Sequence, residues 1–226
     1  MARILKRNSL EPGAAAPRSA ATAILDVAEQ LAQTRGYNGF SYADIAAQLS
    51  VTKASLHYHF RSKAELGGAL IERYRIAFRA ALDAIDQKTP QPQGKLTKYV
   101  GLYNSVLSNK RMCLCGMLAA EYATLPAPMQ QGLTLFFDEN ERWLTGVLED
   151  GLRAEVFLFQ EPARARARLL LGALEGAMLV ARSYGDPHRF EQAAGYLLAD
   201  LTAGGRSIQR ATVGRNALRR PRKSGK

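Results

Sequence analysis

The sequence contains few of the residues on which several protein classes depend. It has two cysteines, three histidines and one tryptophan among 226 residues. Cys113 and Cys115 are too few and too close together for a disulfide framework, so we expect both to be reduced in a cytoplasmic protein. No run of about eighteen apolar residues is present, and residues 1–18 lack the apolar core of a signal peptide. We therefore expect neither a membrane-spanning nor a disulfide-stabilised secreted protein.

Motifs for catalysis and metal binding are also missing. The sequence has no nucleophile elbow and no phosphate-binding glycine loop, and the candidate bases His57, His59 and His188 do not converge on other catalytic residue types. On a helix, two residues that are two positions apart point in different directions, so Cys113 and Cys115 cannot hold a metal ion without other ligands. We expect no enzyme activity, no cofactor and no metal site.

The excess positive charge lies at the two ends of the chain. The formal net charge is +11. Residues 206–226 carry eight basic residues and no acidic residue, and residues 1–18 have a net charge of +3, so residues 19–205 are neutral overall. Both ends are rich in Gly, Pro, Ala, Ser and Arg, and we predict two disordered basic arms. Such arms either attract DNA phosphates or only increase solubility.

Between these ends, apolar residues recur at helical spacing and never alternate over a useful length. We predict an all-α fold with a small helical domain over residues 19–66 and a larger one over residues 87–205. A helix from about residue 62 to residue 86 links the two domains. The sequence KTPQPQG at 88–94 ends this linking helix.

Residues 41–66 have the pattern of two short helices, joined by a tight turn, and the start of a third. Ser41 and Asp44 form a capping-box pair, Thr52 can cap the second helix, and Ser62 begins the next. In the second helix, Leu56 and Phe60 share one face, which we expect to be buried. The opposite face carries Lys53, Ala54, Ser55, His57 and Tyr58. Small residues at a helix N-terminus suit the DNA major groove, so we interpret this helix as a recognition helix. An ordinary helical hairpin with a solvated polar face is the alternative.

These residues resemble the DNA-binding domain of TetR/AcrR-family transcriptional regulators. Gly36 and Phe40 in ILDVAEQLAQTRGYNGFSYADIA match the turn before the family's helix-turn-helix, and VTKASLHYHF follows its recognition segment. Ser50 replaces the usual turn glycine, and His57 replaces a tyrosine that commonly contacts phosphate. The resemblance implies a helix-turn-helix domain followed by a ligand-binding and dimerisation domain. The implied DNA contacts are Ser41, Tyr42, Thr52, Lys53, Ala54, Ser55, His57, Tyr58 and Lys63.

The last two predicted helices, at 162–183 and from Pro187 to Gly204, are rich in apolar and small residues. A helix that is apolar around much of its circumference is buried on more than one side. We expect two such helices to pair with those of a second copy, as the resemblance also implies, so that a homodimer reads a near-palindromic operator in double-stranded DNA. The predicted interface residues are Leu170, Leu174, Ala177, Met178, Ala181, Phe190, Ala194, Leu197 and Leu201.

The resemblance further implies a repressor that a small-molecule inducer releases from DNA. Apolar and aromatic residues of the middle helices either line the inducer pocket or form ordinary core, and Glu121 either orients a polar group of the ligand or is a surface acid. The expected lining residues are Tyr103, Leu107, Cys113, Met117, Glu121, Tyr122, Phe136, Phe137 and Trp143.

The segment MCLCGMLAAEYATLPAPM also resembles that of electrophile- and oxidant-sensing members of the family, whose reactive cysteine is near the position of Cys113. Lys110 and Arg111 would then lower the pKa of that thiol. The effector is thus expected to be a small apolar or an electrophilic molecule, and a buried, inert thiol is the alternative. A helical interaction module or an enzyme without regulatory DNA binding is the most distant alternative function.

Overall fold

A computed structural model of the protein describes residues 19–202. Regular structure in this part of the chain is entirely helical, which confirms the predicted fold class. The predicted basic arms at 1–18 and 206–226 lie outside the described residues. The helices are α1 (Ala20–Arg35), α2 (Tyr42–Leu49), α3 (Lys53–His59), α4 (Lys63–Lys88), α5 (Pro92–Ser108), α6 (Leu114–Ala120), the 3-10 helix η1 (Tyr122–Thr124), α7 (Ala127–Arg153), α8 (Ala163–Tyr184) and α9 (His188–Asp200).

Helices α1 to α3 begin at hydroxyl caps, and the sequence predicts those of α2 and α3. The Ser19 hydroxyl accepts the backbone N–H of Thr22, and the Thr52 hydroxyl accepts that of Ser55. The α2 helix has the complete capping box of Ser41 and Asp44. Each cap satisfies a backbone donor that the first helical turn leaves unpaired, and typically stabilises a helix by about 1 kcal/mol.

The turn between α2 and α3 uses a left-handed residue that is not glycine. Ser50 has φ 54° and ψ 42°, the geometry expected where the sequence departs from the usual glycine. Its N–H closes the helix by donating to the carbonyl oxygen of Ala46. This turn directs α3 across α1 and α2, so the three helices share one small core that includes Ile24, Leu31, Ile45 and Leu56.

The long α4 helix connects this small core with the rest of the protein. Leu66 and Leu70, near its start, are buried, and so are Leu82 and Ile85, near its end. Arg73 fixes its middle to α1 through ion pairs with Asp26 at 2.7 Å and Glu29 at 2.6 Å. The same helix therefore belongs to both cores.

The larger core is built on α7, which packs against α4, α5 and α8, while α9 covers α8 and α5. Its centre is aromatic: Tyr99, Phe136 and Phe190 are fully buried. The Tyr99 hydroxyl donates to Asn140 Oδ1 at 3.0 Å and lies 3.0 Å from the Tyr103 hydroxyl. Within residues 19–202, none of these helices has the length and apolar character needed to cross a membrane.

Candidate nucleic-acid interface

The outer face of α3 is an exposed polar surface of the small domain. Leu56 is fully buried and Phe60 is 8% exposed, which confirms the predicted inner face. On the other side, Thr52, Lys53, Ala54 and His57 are exposed, Ser55 is half-buried, and Tyr58 is 86% exposed. The helix therefore presents a cation, small residues and an aromatic hydroxyl to the surroundings. This combination suits a phosphate backbone together with the edges of bases.

Two of the predicted contact residues are instead held within the protein. The Tyr42 ring is buried, and its hydroxyl donates to the carbonyl oxygen of Phe60 at 2.8 Å. Burial raises the pKa of Tyr42 to about 12, with smaller contributions from the nearby Glu65 and Tyr37. The Lys63 ammonium donates to the carbonyl oxygens of Tyr37 and Phe40. Neither group is free to bind phosphate in this structure. The Tyr42 hydroxyl is bonded to the end of α3, and the Lys63 ammonium joins α4 to the turn between α1 and α2.

His57 occupies an intermediate position. Its side chain is exposed, but the ring lies 4.7 Å from the Tyr42 ring, and Nδ1 is 3.2 Å from the carbonyl oxygen of Arg61. Ser41 is exposed at the start of α2, where its hydroxyl donates to Asp44 Oδ2 at 2.7 Å.

Known proteins share this arrangement of helices. The family described as bacterial regulatory proteins, tetR family, matches residues 24–70. A TetR-family transcriptional regulator from Agrobacterium tumefaciens, known from its crystal structure, is 33% identical, with a TM-score of 0.78 over 81% of this chain and 97% of that one. This chain belongs to the TetR family. It is accordingly a DNA-binding transcriptional regulator and not an enzyme.

Two regulators of established name are more distant relatives of this TetR-family protein. The transcriptional regulator AcuR of Cereibacter sphaeroides is 30% identical over 131 residues, which are 56% of this chain and 55% of AcuR. The chain therefore spans about half the length of that relative. The transcriptional repressor NemR of Escherichia coli is 26% identical over 170 residues, which are 70% of this chain and 82% of NemR.

In the larger domain of this TetR-family regulator, a cavity of about 310 Å³ lies between α4 and α7. Phe136 and Trp143 line it, as the sequence analysis expects of pocket residues. Five other predicted pocket residues do not line this cavity. Tyr103 and Leu107 are buried in the core, Met117 and Phe137 are partly buried against the core, and Tyr122 is exposed. The remaining lining residues were not predicted and are Arg75, Phe78, Arg79, Leu82, Asp83, Glu139, Asn140 and Arg142.

The missed lining residues are mostly polar. Asn140 is buried and donates from Nδ2 to the carbonyl oxygen of Phe136 at 2.9 Å. Glu139 forms ion pairs with both Arg75 and Arg79. In the sequence these residues look like the solvated face of an amphipathic helix. Only the packing of α7 against α4 turns that face toward a cavity.

Glu121 lies away from this cavity and faces the small domain. Its Oε2 accepts the backbone N–H of Tyr37 at 2.7 Å and that of Asn38 at 3.2 Å. Neither of the two roles expected from the sequence describes it, because it is neither a pocket residue nor a plain surface acid. The carboxylate instead joins the two domains.

Cys113 and Cys115 are both buried and free. The expectation that Lys110 and Arg111 lower the pKa of Cys113 is wrong, because burial raises that pKa well above its usual value and the Glu175 carboxylate raises it further. Burial likewise raises the pKa of Cys115. The structure thus favours the alternative of a buried thiol that is protonated at neutral pH.

Glu175 is a candidate functional residue that was not predicted from the sequence. Its carboxylate oxygens are shielded from solvent and make no hydrogen bond of ordinary geometry among the described residues. Burial raises its pKa to about 7, although the nearby Cys113 thiol and Tyr103 hydroxyl act in the opposite direction. The signal in the sequence is an acid within the Ala-, Gly- and Leu-rich α8 helix.

The predicted dimer-interface residues lie inside the single chain. Leu170, Leu174, Met178, Ala181, Phe190, Ala194 and Leu201 are buried by neighbouring helices of the same chain, and Ala177 and Leu197 are half-buried. These buried positions pack within the chain and offer little surface to a second copy, so the interface itself stays a prediction. The exposed face of α8 and α9 is a different apolar set, consisting of Leu169, Leu179, Val180, Tyr184 and Tyr196.

Proposed function

We propose that this TetR-family regulator is a repressor that binds a near-palindromic operator as a homodimer and that a small molecule releases it. One observation carries the proposal: α3 exposes Lys53, Ala54, His57 and Tyr58. On its opposite face Leu56 and Phe60 are buried in the domain. The similarity to NemR, which is described as a repressor, supports the direction of regulation.

The proposed DNA contacts divide by chemistry. Ser41, Thr52 and Lys53 lie at helix N-termini, where the helix dipole and the side chains favour phosphate. Ala54, Ser55 and Tyr58 follow on the outer face of α3 and are placed to meet base edges in the major groove. His57 is exposed on the same face and contributes a ring that can donate or accept a hydrogen bond. Tyr42 and Lys63 are not among the proposed DNA contacts, because their polar groups form hydrogen bonds within the domain.

The proposed dimer uses the outward face of α8 and α9. Leu169, Gly172, Gly176, Leu179 and Val180 follow one another at helical spacing on α8, and the two glycines keep that stripe flat. A second copy can approach such a stripe closely and bury the exposed leucine and valine side chains. A homodimer presents two recognition helices, so it contacts twice as many base pairs as one helix of two turns.

The proposed effector binds without a covalent bond in the cavity between α4 and α7. Phe78, Phe136 and Trp143 provide aromatic walls, and Asn140 provides a buried polar group. Pockets for small molecules commonly combine apolar walls with a few fixed polar groups. The raised pKa of Cys113 argues for this noncovalent mode over cysteine-based sensing of electrophiles or oxidants.

Selection of duplexes from a random pool by the full-length protein tests the DNA-binding part of the proposal. We expect a near-palindromic consensus, and we expect Lys53→Ala and Tyr58→Ala each to weaken binding to the selected duplex by about tenfold, because each removes a phosphate or base contact worth about 1–3 kcal/mol. Lys98→Ala removes an exposed cation from α5 and is the matched control. Loss of affinity in the control alone, or in none of the variants, would overturn the proposed reading surface.

A further inference from the structure

The α6–η1 segment, residues 114–124, connects the larger domain with the turn between α1 and α2. We call the larger domain the effector domain, because the proposed effector cavity lies in it. Glu121 lies at the C-terminal end of α6, and its carboxylate accepts the backbone N–H groups of Tyr37 and Asn38. Hydrogen bonds from two N–H groups to one carboxylate are charge-assisted and stronger than bonds between neutral groups. They also fix the direction of the carboxylate relative to the turn.

The turn is shaped to receive this carboxylate. Gly36 has φ 83°, a conformation that other residues rarely adopt, and a Cβ atom there would overlap Glu121 Oε1. The absence of a side chain at Gly36 is therefore needed twice, once for the backbone and once for the contact. A larger residue there would require the Glu121 side chain to leave this contact.

Neighbouring contacts hold the same turn from both sides. Asn38 Nδ2 donates to Thr124 Oγ1 in η1 at 2.8 Å, and the Arg182 guanidinium of α8 donates to the carbonyl oxygen of Thr34 at the end of α1. From the opposite side, the Lys63 ammonium of α4 donates to the Tyr37 carbonyl oxygen. The Glu121 charge opposes the lowering of the Lys63 pKa that burial causes.

The other end of the segment lies in the effector domain. Cys113 occupies the N-cap position of α6 without a side-chain cap hydrogen bond. Gly116 packs so tightly against the Glu175 carboxylate that a Cβ atom at Gly116 would overlap it. A seven-residue helix thus spans from the buried acid of α8 to the turn that precedes α2.

We propose that Glu121 is a positioning residue for DNA binding: it sets the orientation of each recognition helix relative to the effector domain, and hence the spacing of the two helices in a dimer. This inference rests on the proposed function, because spacing matters only if a homodimer reads two half-sites. Loss of the contact leaves α3 folded and widens the range of orientations that α3 adopts relative to the effector domain.

The test compares a full-site duplex with a half-site duplex. The first is the duplex selected by the wild-type protein, and the second has one half replaced by unrelated sequence. For Glu121→Ala we expect about tenfold weaker binding to the full site and unchanged binding to the half-site, measured by fluorescence anisotropy. Glu121→Gln keeps a carbonyl acceptor, so we expect it to restore most of the affinity. Glu149→Ala, an exposed acid of α7, is the control.

Equal losses at both duplexes would mean that Glu121 supports the folding of the small domain, and unchanged binding at the full site would mean that it has no positioning role; either result overturns the inference. Wild-type protein that binds both duplexes equally would instead overturn the paired-operator proposal. Amide hydrogen exchange provides a second readout. We expect the Tyr37 and Asn38 amides to exchange faster in Glu121→Ala, and unchanged exchange would contradict the contact itself.

Discussion

At the scale of single residues, Glu175 makes the stability of the protein depend on pH. Burial raises its pKa from the usual 4.5 to about 7, so the folded protein holds this proton more tightly than the unfolded chain does. The stabilisation that protonated Glu175 contributes to the fold is fully present below about pH 4.5. It decreases as the pH rises toward 7 and is lost above that. At about 1.4 kcal/mol per pKa unit, the total change is about 3 kcal/mol.

We therefore expect Glu175→Gln, which cannot ionise, to remove this part of the pH dependence. Urea unfolding of both proteins at pH 5 and pH 8 measures it. The variant should gain stability relative to the wild-type protein at pH 8 and lose that advantage at pH 5. Parallel pH dependences of the two proteins would show that the Glu175 carboxylate stays ionised in the fold.

Cys113 provides a second prediction at this scale. Because its thiol is buried and its pKa is raised, the nucleophilic thiolate is scarce in the folded protein. We expect N-ethylmaleimide to label Cys113 slowly in the native protein and rapidly in urea, as followed by mass spectrometry. We also expect wild-type protein and Cys113→Ser to keep the same DNA affinity after brief exposure to the reagent. Rapid native labelling with loss of DNA binding only in the wild type would restore the cysteine-sensing alternative.

At the scale of helices, the local signals in the sequence predicted the small domain well. Ser41, Thr52 and Ser62 cap the helices that they were expected to cap, because a cap depends only on residues within one turn. The inner face of α3 was also predictable, since Leu56 and Phe60 are the large apolar residues of a two-turn helix. The left-handed geometry of Ser50 was expected because Ser50 stands where the family usually has a turn glycine.

The larger domain was less predictable for a physical reason. Helix α8 carries apolar residues around most of its circumference, so spacing alone does not show which stripe faces α7 and which faces outward. Leu170 and Leu174 pack inside the chain, whereas Leu169 and Val180 are exposed. The role of Glu121 depends on contact with residues more than 80 positions earlier in the chain. Such contacts have no local signal.

The two stripes of α8 give contrasting predictions. Val180 is 53% exposed on the outward stripe, so Val180→Arg should convert the proposed dimer to a monomer while the helical circular dichroism spectrum is retained. Leu174 is buried, so Leu174→Ala should lower the free energy of unfolding by about 2–5 kcal/mol. Sedimentation velocity and urea unfolding distinguish the two effects. A Val180→Arg protein that remains a dimer would show that the second copy binds elsewhere.

At the scale of the whole molecule, two cores share the α4 helix and are joined again by the α6–η1 segment. The Arg73 ion pairs hold α1 at Asp26 and Glu29, and the Glu121 carboxylate holds the α1–α2 turn at Tyr37 and Asn38. Two separate connections restrict rotation more than one does. A change in the cavity between α4 and α7 therefore has two structural routes to the recognition helix.

The central claim is that the outer face of α3 meets the duplex. Hydroxyl-radical footprinting of the protein, with oxidation measured by mass spectrometry, tests it most directly because Tyr58 is 86% exposed and Tyr122, on η1, is 46% exposed. On addition of the selected duplex, the account predicts that oxidation of Tyr58 falls several-fold while oxidation of Tyr122 is unchanged. Tyr58 that remains as reactive in the complex as in the free protein would contradict it.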